Sequence, residues 1–272
     1  FEIVMPSLSI LAEPTVSGGG GNTAGGEYSV VSGGRGNSAT AGGATVSGGE
    51  NNTASDGATI AGGAGNTAIV YSAIGGGYLN NASGNYAVIG GGRDNVASNY
   101  VSTVSGGKFN NATGSDSAVG GGGGNSATGH AATVPGGEGN TASGHLSFAA
   151  GRFAKAQHDG AFVWADTNVD FIPFSSVTAN EFAARATGGV RLVTAIDGAG
   201  APTKTFSIDS GGNVSVQGDV KIGSATIRSG TGSPEGVVSG NVGDLFLRTD
   251  GGAGTTFYVK ESGAGMAGWM GK

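Results

Sequence analysis

Three histidines, His130, His145 and His158, are the only imidazoles in this 272-residue chain. None has a second His, a Cys or a Glu at metal-ligand spacing, which points to surface or interface positions. Cysteine is absent, so thiolate nucleophiles, thiolate metal sites and disulfides are excluded. Ser, His and Asp all occur but form no recognisable nucleophile motif. Asp94, Asp116 and Glu138 could act as glycosidase carboxylates if the fold brought two of them to one groove. Acids scattered along a chain are more simply solvated. The phrase Gly136-Gly137-Glu138-Gly139-Asn140 invites a calcium reading. That motif requires an Asp after the glycines and a nine-residue period, and a hard cation prefers charged oxygens. Nor do the glycines form a phosphate loop, because no Gly-Lys-Ser/Thr follows them. No cofactor and no metal are expected, and the chain reads as non-enzymatic.

Recognition chemistry has better candidates. Tyr78-Leu79, Arg93-Asp94 and Lys108-Phe109 follow one another at spacings of 15 residues. Aromatic and Arg groups together are what receptor and glycan surfaces use. A second group, Arg248, Asp250, Tyr258, Lys260 and Trp269, gathers near the C-terminus, where Phe257 is assigned to the core of a small domain.

The elements that carry the first group are repeats. One phrase, roughly V-S-G-G-x-x-N-T-A-S-G-x-x-A-T, recurs ten times between Val16 and Phe162. Its register residues include Val46, Ile60, Ile74, Ile89, Val104, Val119 and Val134, and are taken to continue through Phe148 and Phe162. An Asn stands six places after nine of them, among these Asn52, Asn66, Asn95, Asn125 and Asn140, and an Ala eight places after all ten. A short fixed period means a solenoid. Each unit holds two short strands and two turns. Alternation places Val46 with Ala44, and Asn52 with Ala54, on the inner face. The Asn residues either tolerate left-handed turns or stack their amides into a ladder. Coils advancing about 4.8 Å each give a shaft of roughly 50 Å. The paired residues above fall in the longer turn, at x-x of G-G-x-x-N, so their tips stand about 5 Å apart.

Each coil would bury one Val or Ile and a few small residues, which is little apolar volume for the chain it orders. The position before the Val (Thr45, Thr59, Ala73, Val88, Thr103, Ala118, Thr133) forms a half-apolar outward stripe. Packing three copies around an axis would bury it, and a homotrimer is inferred. The 59 glycines lack a Gly-X-Y triplet, which excludes collagen. Only 12% of residues are charged and the net charge is −6, without basic clusters, so nucleic acid is not the expected partner. No apolar run approaches a membrane-spanning length. The opening Phe1-Glu2-Ile3-Val4-Met5 is not a signal peptide and reads as a fragment or a processed end.

The core A-[ST]-G-x-x-A-[TV]-[VI] resembles the 14-residue repeat of trimeric autotransporter adhesin heads over residues 16 to 162. The resemblance implies a homotrimeric, left-handed parallel β-roll, with the G-G-x-x-N insert lengthening one turn. No heptad stalk or outer-membrane anchor accompanies it. The stretch F-S-I-D-S-G-G-N-V-S-V-Q-G-D-V-K-I-G and the segment Pro234 to Gly263 look like parts of phage tail fibres. The chain is accordingly divided into a lead or β segment (1–15), a roll (16–162), a cap and neck (163–190), a β connector (191–230) and a small β module (231–272), all β. Aromatics around Phe162 and Phe174 are expected to plug the open end of the roll. The expected function is a non-enzymatic fibre displaying a receptor- or glycan-binding surface. It would be of phage tail-fibre type, located on a virion or cell surface, and self-associating, with end-to-end assembly conceivable. The alternatives are a bacterial surface adhesin or filament subunit, in which residues 1–11 pair with a neighbour, and a tailspike-like glycan hydrolase.

Overall fold

The computed structural model describes residues 13–167, 171–251 and 256–272, so the lead segment 1–11 lies outside the described residues. The chain divides into two compact units, Phe1–Arg185 and Ala186–Lys272.

The first unit is a parallel β-solenoid. Each coil contributes one short strand to each of two sheets, two residues long up to Thr141–Ala142, for example Thr45–Val46 and Thr53–Ala54. The first sheet has 12 strands, from Thr15–Val16 to Phe182–Arg185, and the second has 11, from Thr23–Ala24 to Phe174–Ser175. Like pairs with like: Val46 opposes Ile60 and Ala54 opposes Ala68. A third ladder of single residues, from Gly20 through Arg35, Glu50, Ala64 and Tyr78 to Arg152, runs along the longer turn.

The interior follows from alternation along the strands. Val46, Ile60, Ile74, Ile89, Val104, Val119 and Val134 are buried, as are Ala54 and Ala68 opposite them. The residue two places before the aliphatic one is small and buried too, as with Ser29, Ala44 and Ala87. The second glycine of each Gly-Gly pair has a stereochemical reason. Gly49 has φ +90, and a Cβ there would collide with the carbonyl oxygen of Gly63 in the next coil. Only glycine fits so close a backbone approach.

Asn forms an internal ladder. Asn52, Asn66, Asn95, Asn125 and Asn140 are buried. The Nδ2 of Asn95 donates to the carbonyls of Gly91 (3.0 Å) and Gly107 (2.9 Å), while its Oδ1 accepts from the backbone N–H of Asn110 (3.0 Å). The same arrangement passes from coil to coil and ends where the N–H of Ala154 donates to Asn140 Oδ1 at 2.9 Å. Of the two roles open to these amides, the ladder is the one adopted. The left-handed turn position belongs to the residue before each Asn.

Two features of this unit differ from the sequence reading. Phe148 pairs with Thr133 and with Phe162, so both phenylalanines take the outward Thr position, and Ala149 and Val163 take the inner one. A one-residue change of register exchanges the faces of a strand. The parallel pairing also continues past residue 162 to Arg185. Val163 and Ala165 are fully buried while Trp164 is 38% and Phe182 75% exposed, so Phe174 is the aromatic here that packs against the core. Arg185 ties the last coil: Nε to Asp166 Oδ1 at 3.1 Å and Nη1 to the carbonyl of Ile172 at 2.7 Å.

The second unit has two sheets. Val190–Ile196, Pro202–Ile208 and Val214–Val216 form an antiparallel meander, with a bulge between Val193 and Ile196. Val220–Ile222, Ala225–Gly230, Leu245–Arg248, Phe257–Lys260 and Trp269–Gly271 form a mixed sheet whose only parallel pair is Ala225–Gly230 with Leu245–Arg248. Phe246, Tyr258 and Trp269 make its core, with Val238 packed against them.

Candidate functional site

The solenoid presents two rows of turn tips, and they differ in chemistry. The first follows the longer turn. Its leading residues pair across coils in the third ladder, Tyr78 to Arg93 and Arg93 to Lys108. Its second residues all adopt left-handed backbone. Glycine fills this position at Gly21, Gly36, Gly65, Gly124 and Gly139, with φ between +65 and +68. Leu79 (φ 52), Asp94 (φ 53), Phe109 (φ 57) and Phe153 (φ 56) hold the same conformation with full side chains. A non-glycine residue there is strained by about 1 kcal/mol or more. Leu79 and Phe109 remain 46% and 47% exposed, so no core packing compensates the strain. Asn51 (φ 52) shares this column, and the shorter turn holds the same left-handed conformation at Tyr71, Tyr86 and Val101.

The structure thus brings the first set of sequence candidates into one strip. Tyr78, Leu79, Arg93, Lys108 and Phe109 are exposed and Asp94 half-buried. The Arg93 guanidinium lies 4.9 Å over the Phe109 ring, and its Nε is 3.2 Å from Asp94 Oδ2. Beyond Phe109 the strip opens into a groove of about 690 Å³, lined by Lys108, Phe109, Gly123, Gly124, Glu138, Gly139 and Phe153.

The second row, along the shorter turn, went unread in the sequence. Tyr71 and Tyr86 stack at 5.6 Å, and Tyr86 meets Tyr100 edge-on at 6.0 Å. All three are more than half exposed. Their spacings of 15 and 14 residues matched the repeat and were the available signal. Further along, His130 lies 5.9 Å from His145, and its Nε2 is 3.5 Å from Asp116 Oδ2. His158 is separate from this row's pair, its Nδ1 2.8 Å from Ser176 Oγ.

The C-terminal candidates separate, and their reading as one displayed cluster needs correction. Tyr258, Lys260 and Trp269 are buried, with the Lys260 ammonium 5.7 Å from the Trp269 ring and without a hydrogen-bond partner among the described residues. Their strand buries its Tyr258 and Lys260 face, while Phe257, assigned to the core, is half-buried on the other. Arg248 and Asp250 remain accessible as a 2.8 Å ion pair. That hydrogen-bonded pairing holds the Asp250 carboxyl below its usual range.

The other polar centre of this unit is structural. Asp244 is fully buried and accepts from Thr226 N–H (2.7 Å), Asn241 N–H (3.0 Å) and Arg228 Nη1 (2.8 Å). Burial pushes its carboxyl up, but these donors outweigh that effect and hold it below the ordinary value.

Among the described residues, no group of three or more His, Cys, Asp or Glu could hold a metal ion. No helix among them is long and apolar enough to cross a membrane. The three acids considered for hydrolysis are distributed: Asp94 sits beside Arg93, Glu138 is 3.2 Å from Arg152, and Asp116 belongs to the other turn row. Asp94 and Glu138 are three coils apart, about 14 Å, beyond the roughly 5–9.5 Å of paired glycosidase carboxylates. No family model matches the chain, and no curated protein matches it.

Proposed function

We propose that the chain is part of a non-enzymatic, self-associating fibre that displays a receptor- or glycan-binding surface, of the kind found in phage tail fibres. The observation that carries the reading is the strip from Tyr78 to Phe109. Successive coils there replace glycine with Leu79, Asp94 and Phe109 in left-handed backbone, and Leu79 and Phe109 are exposed. A mere spacer gains nothing from those side chains. Self-association, as a homotrimeric left-handed roll, is supported by the outward face of the first sheet. Its Thr, Ala and Val stripe ends in a stack of Phe148, Phe162 and Phe182, with ring centroids 4.6 and 5.0 Å apart. Phe182 and Trp164 leave apolar surface open that a second copy would cover.

The test is attachment of the fluorescently labelled chain to a panel of bacterial cells. Replacing Tyr78, Leu79 and Phe109 together with glycine should abolish attachment without lowering the melting temperature. Undiminished attachment by that variant, or no attachment by the parent chain, contradicts the reading.

A further inference from the structure

Phe109 and Phe153 stand three coils apart on the same left-handed column, about 14 Å along the axis, with Gly124 and Gly139 between them. The Phe109 ring sits under Arg93, and the Phe153 ring covers Gly139, where a Cβ would strike it. Gly124 is bare, with nothing within 4 Å of the place a Cβ would take. The groove is therefore a notch with an aromatic wall at each end and a glycine floor. The Lys108 stem lies along that floor, its Cε 3.5 Å from the Gly123 Cβ position. The charges at the rim do not balance. Glu138 is neutralised by Arg152 at 3.2 Å, whereas the Lys108 ammonium has no ion pair or hydrogen bond among the described residues.

We infer that this notch is a subsite for an acidic pyranose, a uronic-acid residue within a polysaccharide. This rests on the display function proposed above and names its ligand class. A pyranose offers an apolar C–H face to an aromatic wall, and its hydroxyls reach the backbone of the glycine floor. The ring carboxylate pairs with Lys108, since the neighbouring Lys155 ammonium is already held by the Gly139 carbonyl and Thr141 Oγ1, both at 2.8 Å. Phe109 and Phe153 are held at a conformational cost because the walls bind sugar, and Gly124 is bare because the ring needs its space.

The probe is trigalacturonic acid, with its methyl ester as the uncharged control, titrated into the full chain and followed by saturation-transfer NMR. The acid should bind and the ester bind about tenfold more weakly. Lys108→Gln should bring the acid down to the level of the ester. Gly124→Asn, which keeps a residue tolerant of left-handed backbone, should block both. Phe109→Gly should weaken binding about tenfold or more while leaving the melting temperature unchanged or higher, which separates loss of a wall from loss of fold. Equal binding of acid and ester, or full binding by Gly124→Asn, overturns the assignment. If the chain attaches to cells through its tips but trigalacturonic acid does not bind, the notch assignment falls and the display reading stands. If it does neither, both fall.

Discussion

The Asn amide does work in this solenoid that no isosteric residue can repeat. Its two N–H groups satisfy carbonyls on two glycines and its oxygen satisfies the next coil's backbone. Asn95→Asp removes both donors and sets an acceptor against two carbonyl oxygens about 3 Å away. It should destabilise the first unit by about 3 kcal/mol or more, read as a fall in denaturation midpoint. Because the amide oxygens are occupied by N–H donors, a chelator should leave the melt unchanged; a melt that collapses in EDTA would restore the calcium reading. At this scale the sequence was readable wherever one residue type has one stereochemical task. Gly49 answers a close carbonyl, Asn52 a ladder and Ala54 a narrow interior. It was harder to read at Tyr71, Tyr86 and Tyr100, because an exposed turn accepts almost any side chain and only their spacing at the repeat period marked them.

Strands show where apolarity alone misleads. Val134 and Phe148 look equivalent in a list of apolar residues, yet one faces in and the other out. The decisive signal was Ala149, which fits the narrow interior as Phe148 cannot. In Phe257–Lys260 the alternation is equally visible, but which face is inner depends on Trp269, which pairs with Lys260 from another strand. Lys260 can be buried because its stem is hydrocarbon, although its ammonium has no hydrogen-bond partner among the described residues. Lys260→Met should therefore raise the stability of the C-terminal unit, by about 1 kcal/mol or more, measured by chemical denaturation. That unit should also be acid-sensitive. Asp244, Asp209 and Asp250 all have carboxyls held below their ordinary value of 3.8. For a lowered carboxyl the unfolded chain takes up the proton first as pH falls. The stabilisation is complete above the unfolded pKa and is lost as pH drops through the folded one. Denaturant midpoints of the C-terminal unit should fall below about pH 4, and Asp244→Asn should flatten that dependence.

For the molecule as a whole, a coil with one aliphatic side chain, two small residues and an amide is a thin core. Repetition supplies the remainder within one chain, since every coil is covered above and below by another. The first sheet's outward face completes the account if copies of the chain associate along it. That face grows more apolar toward Phe148, Phe162 and Phe182 and leaves the tip rows free. Sequence periodicity made the solenoid legible, and the extra pairing as far as Arg185 escaped it because those coils depart from the repeat's Gly-Gly and Asn positions. The proposed fibre requires association, and sedimentation equilibrium measures it directly. The account predicts a single species of three times the 26.0 kDa chain mass, persisting at the lowest detectable concentration. A folded, stable species at 26.0 kDa would contradict it.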